Sequence, residues 1–141
     1  MATFLFKTEP DCYAWADLVR EQRAVWDGIT NAAALIHLRS AMKGDEALIF
    51  HTGDERAIVG LAEIVSAPYE DPKEPGLNAR GEPALAVVDI KPLRAAKTPV
   101  TLAQVKADPR FAGFALVKQA RLGVMPVPPA MDRLLRKMAG L

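Results

Sequence analysis

Apolar positions in the first half of the chain follow strand-like spacing, then helical spacing, then strand-like spacing again. The segment TFLFK alternates aromatic with small or polar residues, which predicts a strand over residues 2–7. Helical spacing of the following apolar residues predicts a short helix over residues 13–22. Residues 46–65 form two long apolar runs joined by a turn near Gly53, the pattern of a hairpin in a covered sheet. Within the second run, Gly60 indicates a bend or a close approach to the backbone.

A second helix is predicted directly after the segment WDGITN. Thr30 or Asn31 is placed to cap its first turn, because a short polar side chain can accept a hydrogen bond from an unpaired backbone N–H there. Gly44 supplies the left-handed residue that commonly ends a helix. The buried face of this helix would carry Leu35, Leu38 and Met42.

The second half of the chain begins with an irregular segment and continues with a strand and a short helix. Residues 66–83 hold four prolines and two glycines and are too polar for a core element. Residues 84–93 are rich in apolar and β-branched types, which predicts a strand that ends near Pro92. Thr101 and Gln104 have the spacing of a capping box, which predicts the start of a brief helix.

The last part of the chain completes a mixed set of elements. Residues 114–127 predict one or two strands, and residues 128–141 predict a closing amphipathic helix. Its buried stripe would be Met131, Leu134, Leu135 and Met138, with Arg133, Arg136 and Lys137 outside. Five or six strands, with helices inserted between the first and second, predict an α+β fold around a small barrel.

Composition limits the class of protein. A chain of 141 residues fits a single domain over residues 1–141, and half of its residues are hydrophobic, as in an ordinary globular protein. No stretch approaches the roughly 20 consecutive apolar residues of a membrane span, so we expect no membrane contact and a cytoplasmic location. We also expect a monomer. The single cysteine and two histidines predict no metal site and no cofactor held by such ligands.

The net charge of +1 provides no overall basic field that would hold nucleic acid through its phosphates. The charges are unevenly divided, with 6 Lys and Arg against 11 Asp and Glu in residues 1–70, and 12 against 6 in residues 71–141. Two interpretations stay open. The halves neutralise each other across the fold, or the second half contributes a local basic face.

The sequence offers little for catalysis. Cys12 with His37 or His51 is the one thiol pairing available, and its surroundings match no nucleophilic signature. Acidic pairs such as Glu9 and Asp11 lie beside turns, where carboxylates are common and solvated. No glycine-rich phosphate loop is present. We therefore predict no catalytic residue and no enzymatic activity.

The two tryptophans differ in their settings. Trp15 lies on the apolar face of its predicted helix, which favours core packing. Trp26 lies outside any helical stripe, next to the Asp27-Gly28 turn, and loops in such positions often contact ligands. An aromatic face can stack on an extruded base for about 1–3 kcal/mol. Trp26 is therefore the candidate ligand contact.

Seven segments, taken together and in order, resemble the EVE domain of the PUA-like superfamily. They are FLFKTEP, a Trp followed by ADL, WDGITN, LRSAMKGDEALIFHTG, AIVGLAEIV, AVVDIKPL and LVKQARLGVMPV, and they run from Phe4 to Val127. The resemblance implies a PUA-like pseudo-barrel of five to six mostly antiparallel strands with helices packed around it. It also implies a pocket that reads a modified base in DNA or RNA by flipping it out of the helix.

The resemblance places a set of candidate ligand-binding residues in or around that pocket. They are Lys7, Trp15, Trp26, Asn31, Arg39, His51, Thr52, Arg121 and Leu122. In this interpretation Trp26 stacks on the base, Asn31 and Thr52 recognise its edge, and Lys7, Arg39 and Arg121 meet the backbone or fix the walls. Structural roles remain open for several of them. Lys7 and Arg39 could pair with nearby acids, and a strand-end His51 is more often a satisfied structural residue.

This chain departs from the family pattern at several positions. Members usually carry Arg where Thr30 stands, larger or basic residues where Ala32 and Ala33 stand, and often Ser where Gly123 stands. This chain therefore has fewer side chains than a typical member that could donate hydrogen bonds to a phosphate or to the edge of a base.

Three functions follow as hypotheses. The leading one is a non-enzymatic reader of a flipped, modified base, with nucleic acid as its partner. The second is a module that binds a free nucleobase, nucleoside or related metabolite in the same pocket. The third is an interaction domain whose basic C-terminal helix docks a protein.

Overall fold

Seven strands and five α-helices follow one another along the chain, and the computed structural model describes all residues 1–141. The strands are β1 (Thr3–Thr8), β2 (Ala24–Trp26), β3 (Glu46–His51), β4 (Ala57–Ile64), β5 (Tyr69–Glu70), β6 (Ala86–Thr101) and β7 (Val124–Pro126). The helices are α1 (Trp15–Glu21), α2 (Ala32–Arg39), α3 (Leu102–Ala107), α4 (Ala115–Lys118) and α5 (Pro129–Ala139). A single 3-10 turn, Pro109–Phe111, lies between α3 and α4.

Six strands form one path in the order β2–β6–β4–β3–β1–β7, and β5 pairs with β6 outside this path. β1 and β3 are parallel, and every other pair is antiparallel. The sheet curls into a half-barrel with the five helices packed around it, which confirms the predicted α+β, PUA-like fold. The long strand β6 joins β2, β4 and β5, so it connects the elements on that side of the sheet.

The core is one cluster of 33 buried residues that draws on the sheet and the helices. β3 and β4 are buried along almost their whole length, as the continuous apolar runs of residues 46–65 predict. The hairpin turn between them contains Gly53 with φ of 74°. Gly60 lies directly under the indole of Trp15, so the predicted close approach to its backbone is confirmed.

The strands differ from the prediction in three respects. β2 is absent from the sequence prediction, because three residues are too few to show alternation. The strand predicted over 84–93 continues to Thr101, and Pro92 is tolerated beside a register shift opposite Leu61 and Ala62, where the strand pairing is irregular. Residues 114–127 contain the one short strand β7, and the first part of this range is the helix α4.

The predicted ends of α2 need correction as well. Asn31 is the N-cap, and its side chain accepts a hydrogen bond from the N–H of Ala34 at 3.0 Å. The helix ends at Arg39, however, so Met42 lies beyond it and is exposed rather than buried. Gly44 does not cap the helix. It adopts φ of 98° in the turn that precedes β3.

The closing helix α5 places its apolar residues against the core, as expected, but Arg136 does not point outward. Its guanidinium donates to Asp132 at 2.8 Å and to Glu46 at 2.8 Å. Burial alone would lower the pKa of Arg136, but the hydrogen bonds to these two carboxylates outweigh it and raise the pKa. Arg133 and Lys137 are exposed, so the basic outer face of the helix is smaller than predicted.

None of the helices has the length and the apolar composition that crossing a bilayer would require.

Candidate functional site

A half-open cavity of about 440 Å³ lies where the end of β1, the start of α1 and the end of β2 meet. This volume is within the usual range of roughly 300–1,000 Å³ for ligand pockets. The lining residues are Lys7, Thr8, Cys12, Tyr13, Val25, Trp26, Asp27, Gly28 and Ile29. The cavity therefore combines an aromatic surface with a cation, a carboxylate, a thiol and exposed backbone.

Trp26 forms the floor of this cavity. It is the last residue of β2, opposite Val88 of β6, rather than a loop residue as predicted. Its ring stacks on Phe6 with centroids 5.6 Å apart, and the ring of Tyr13 meets it edge-on at 6.2 Å. Only 6% of Trp26 is exposed. The indole is thus anchored in the core and contributes a limited surface to the cavity, not an open platform.

The wall that carries Tyr13 is fixed by hydrogen bonds at the start of α1. The hydroxyl of Thr8 donates to the carbonyl of Tyr13 at 2.7 Å, and the hydroxyl of Tyr13 donates to Glu21. Burial raises the pKa of Tyr13, and the hydrogen bond to Glu21 raises it further. Tyr13 therefore stays a neutral aromatic wall at physiological pH.

His51 and Trp15 lie outside the cavity and are joined by a hydrogen bond close to the Tyr13 wall. The backbone N–H of Trp15 donates to Nε2 of His51 at 3.0 Å, so Nε2 is an acceptor. Nδ1 then carries the proton and donates to Glu55 at 2.7 Å. Both ring nitrogens of His51 are hydrogen-bonded and its side chain is buried. His51 therefore has the surroundings of a structural residue, one of the two alternatives that the sequence left open. Trp15 packs on Gly60 and does not line the cavity.

Lys7 contributes the positive group of the cavity. Its Nζ donates to the carbonyl of Ala120 at 2.9 Å and lies 5.9 Å from the centroid of the Phe50 ring. None of the ion pairs of the protein includes Lys7, so the alternative that Lys7 pairs with a nearby acid such as Glu9 is not seen. Burial lowers the pKa of Lys7, because no carboxylate offsets the lost hydration.

The segment Asp27–Ile29 forms another side of the cavity and presents its backbone. Gly28 has φ of 78°, a conformation that favours glycine. The N–H groups of Gly28 and Ile29 donate to no backbone carbonyl. The Asp27 carboxylate lies 3.2 Å from Nζ of Lys73, an exposed pair that contributes little to stability. Unpaired amides beside an accessible carboxylate can bind both acceptors and donors of a ligand.

Three of the expected site residues line a different cavity, of about 300 Å³. Asn31, Arg121 and Leu122 lie there with Ala33, Gln119 and Ala120. Asn31 was expected to lie beside Trp26, but the structure places it in this second cavity. Its side-chain oxygen also caps α2. Lys7 lines the first cavity and donates to the carbonyl of Ala120, which lines the second, so the two cavities are neighbours.

Arg39 and Thr52 lie outside both cavities. Nε and Nη2 of Arg39 donate to the carbonyls of Pro83 and Ala84 at 2.7 and 2.8 Å, which fastens residues 66–85 to α2. The hydroxyl of Thr52 makes a long contact of 3.4 Å to the carbonyl of Thr8, behind the cavity wall. Neither side chain faces Trp26, because each is engaged by a neighbouring backbone segment.

Several lining residues were missed by sequence reasoning. Asp27 and Gly28 belong to the WDGITN segment that drew attention to Trp26, so that motif was the available signal. Tyr13 and Val25 carried no such signal in the sequence. The position of Val25 depends on strand β2, and that of Tyr13 depends on how the segment before α1 packs on the sheet. No group of three His, Cys, Asp or Glu side chains that could hold a metal ion occurs.

Comparison with known proteins agrees with this fold. Residues 2–138 match the family profile of the EVE domain. Thymocyte nuclear protein 1 of Homo sapiens is 30% identical over 96 residues, which are 62% of this chain and 43% of that protein. The chain thus spans about two-fifths of the length of the curated relatives it matches.

Solved structures of similar proteins extend the comparison to the whole chain. Rpa0253 from Rhodopseudomonas palustris is 39% identical with a TM-score of 0.88, covering 99% of this chain and 94% of that one. Human THYN1 protein, in complex with 5-methylcytosine containing DNA, is 24% identical with a TM-score of 0.87, covering 98% of each chain. Since the family profile matches almost every residue, this chain belongs to the EVE domain family.

Proposed function

We propose that this protein is a non-enzymatic reader that accepts an extruded, modified base of DNA or RNA in the cavity floored by Trp26. The observation that carries the proposal is the cavity itself, which joins an aromatic floor to unpaired backbone donors within a volume suited to one nucleotide base. The structure of human THYN1 with 5-methylcytosine containing DNA supports the same class of ligand.

Each face of the cavity has a distinct part in binding. The base lies against the Trp26 floor with the Tyr13 edge and the Ile29 side chain at its margins, and contact of this kind contributes about 1–3 kcal/mol per base. The N–H groups of Gly28 and Ile29 donate to acceptors on the base edge. The Asp27 carboxylate accepts from an exocyclic amino group, a pairing typical of acidic residues with cytosine.

Phosphate contacts would come from the second cavity. Arg121 is exposed there and takes part in no ion pair, and Lys7 lies between the two cavities. Two cations are a small number for phosphate contacts, and Thr30 stands where the family usually has Arg. We therefore expect binding that depends mainly on contacts to the base, with a shallow salt dependence.

A free nucleobase or nucleoside is the second candidate ligand of the same cavity. The near-neutral net charge and the missing Arg at Thr30 favour it. Such a ligand needs no phosphate contact. Its affinity would therefore change little with ionic strength, whereas that of an oligonucleotide would fall.

Two valines of nearly equal exposure allow a matched test of the site. Val25 lines the cavity and is 45% exposed, whereas Val19 on α1 is 43% exposed and lies outside it. Val25→Glu should weaken binding of a 5-methylcytosine oligonucleotide at least tenfold by fluorescence anisotropy, because it places a negative charge and added bulk in the cavity mouth. Val19→Glu should leave binding unchanged.

The same titration with an unmodified oligonucleotide and with free 5-methylcytidine, at two salt concentrations, separates the candidates. Preference for the oligonucleotide supports the reader, and equal binding of the nucleoside supports the second candidate. Equal effects of the two Glu variants would place the binding surface elsewhere.

A further inference from the structure

Lys7 carries the only primary amine that lines the cavity beside Trp26. One of its N–H groups is fixed by the carbonyl of Ala120 at 2.9 Å, and the side chain is half-buried with no ion-pair partner. Burial lowers the pKa of Lys7 from its usual value of 10.5. A larger share of Lys7 is therefore the neutral amine near neutral pH, and the neutral amine is the nucleophilic form.

We propose that Lys7 condenses reversibly with an aldehyde presented by a nucleotide in this cavity. The aldehyde belongs either to a 5-formyl pyrimidine base or to the ring-opened sugar of an abasic site. This inference rests on the proposed function, since it needs a cavity that admits a nucleotide. It adds a covalent mode of recognition that stacking and hydrogen bonds alone do not provide.

The reaction balances without an oxidant or a reductant. The lone pair of Nζ attacks the carbonyl carbon, and the carbonyl oxygen takes up the proton that the nitrogen releases, which gives a carbinolamine. The hydroxyl group then leaves as water while the nitrogen forms the double bond to carbon. The product is an imine, and addition of water restores the amine and the aldehyde.

Asp27 is placed to move the proton in both steps. Its carboxylate lines the same cavity and is 36% exposed, so it can accept a proton from the nitrogen and return it to the departing hydroxyl. The competing nucleophile is Cys12 at the cavity rim. Its sulfur lies 3.7 Å from a Glu9 carboxylate oxygen. A thiol adds to an aldehyde to give a hemithioacetal, which has no carbon–nitrogen double bond that a mild hydride donor could reduce. Only the adduct of the amine is therefore made permanent by reduction.

The test is reductive trapping with the full chain. The protein is incubated with sodium cyanoborohydride and a duplex that carries one 5-formylcytosine, one abasic site or one 5-methylcytosine. A covalent protein–DNA species should form with at least one of the first two duplexes, and that duplex identifies the source of the aldehyde. None should form with the third, which has no aldehyde. Peptide mapping of the wild-type adduct should place it on Lys7.

Lys7→Arg keeps a cation but cannot form an imine, so it should lower the trapped yield at least tenfold. Lys118→Arg, which changes an exposed lysine outside the cavity, should not. Thermal unfolding shows whether Lys7→Arg is folded, and mapping of the wild-type adduct does not depend on that variant. The inference is overturned if no adduct forms, or if adducts are spread over exposed lysines and persist in Lys7→Arg.

Failure of the proposed function is distinguishable from failure of this inference. Binding of the 5-methylcytosine duplex without any trapped adduct to the aldehyde duplexes would retain the reader and overturn the imine. If no duplex binds, free 5-formyl-deoxycytidine serves as the probe. Its reduction onto Lys7 would support the amine chemistry while the reader fails, and no reduction would overturn both.

Discussion

The indole of Trp15 lies so close to Gly60 that a Cβ atom on residue 60 would be 2.6 Å from Cε2 of the ring. The contact joins the first turn of α1 to the middle of β4. Because Tyr13 lies two residues before Trp15, this single close approach helps to set the shape of the cavity beside Trp26. A glycine is required there for space, not for an unusual backbone angle.

Gly60→Ala should destabilise the protein by about 1–3 kcal/mol, the usual range for overpacking a core. The added methyl group must displace a rigid ring whose backbone is itself held by the hydrogen bond from the Trp15 backbone N–H to His51. Chemical denaturation of wild type and variant measures the change. Gly123→Ala is the matched control, since a Cβ at residue 123 meets nothing within 4 Å. Equal stability of the two variants would contradict the packing described for Trp15.

Trp26→Ala should lower the free energy of unfolding by about 3–5 kcal/mol, as for other large aromatic residues in a core. The ring stacks on Phe6 and meets Tyr13, so its loss leaves a void under the cavity. For this reason Trp26→Phe is the better variant for binding. It should retain most of the stability and weaken base binding severalfold, because the smaller ring offers less contact. An undiminished affinity in Trp26→Phe would argue against Trp26 as the floor for the base.

Asp89 should make stability depend on pH in the acid range. Burial alone would raise the pKa of Asp89, but hydrogen bonds from Tyr69 and Arg23 outweigh it and hold the pKa below the usual 3.8. Because the pKa of Asp89 is lower in the folded than in the unfolded protein, its ionised carboxylate stabilises the fold at pH values above the unfolded pKa. This contribution is lost as the pH falls through the folded pKa. Asp89→Asn should therefore cost about 1–3 kcal/mol near neutral pH.

The difference between wild type and Asp89→Asn should shrink once the pH falls below 3.8, and urea denaturation at several pH values measures it. Asp11→Asn is the control, because Asp11 is exposed and makes no hydrogen bond through its side chain. A difference that stays constant down to the acid transition would show that the Asp89 charge does not contribute.

Thr30→Arg should strengthen oligonucleotide binding and steepen its salt dependence. Thr30 is exposed at the end of the WDGITN turn, between the cavity and the start of α2. One added phosphate contact raises the slope of log K against log salt by about one unit. Binding of a free nucleoside should be nearly unchanged. Thr30→Gln, a long uncharged side chain at the same place, should not change the slope, and an equal gain in both variants would exclude a phosphate contact.

Features set by neighbouring residues could be predicted from the sequence, and features set by distant pairing could not. The hairpin of β3 and β4, the Asn31 cap and the Thr101–Gln104 capping box depend on residues close in sequence, and all three are confirmed. β2 escaped detection because it is a strand only through its pairing with β6. Residues 114–127 contain enough apolar residues for either type of element, and contacts with α3 favour a helix in their first part.

The candidate site shows the same division. The turn beside Trp26 identified it as a candidate ligand contact. Its burial could not be predicted, because the ring that covers it belongs to Phe6 on β1. Tyr13 reaches the same place from the segment just before α1. Arg39 and Asn31 carry polar groups that suit a ligand equally well, and only the three-dimensional structure shows which backbone atoms already bind them. Their role toward a ligand stays a prediction.

The place of β1 between β3 and β7 determines the order in which the chain can assemble on a ribosome. The β3 edge of β1 can be covered as soon as β3 has emerged, because their pairing involves only the first part of the chain. The other edge waits for β7, which follows β3 only after three further strands and two helices have been made. Until then an apolar strand has one open side, and open edges of this kind invite association between nascent chains. Slow translation between β3 and β7 would therefore lengthen the period of risk.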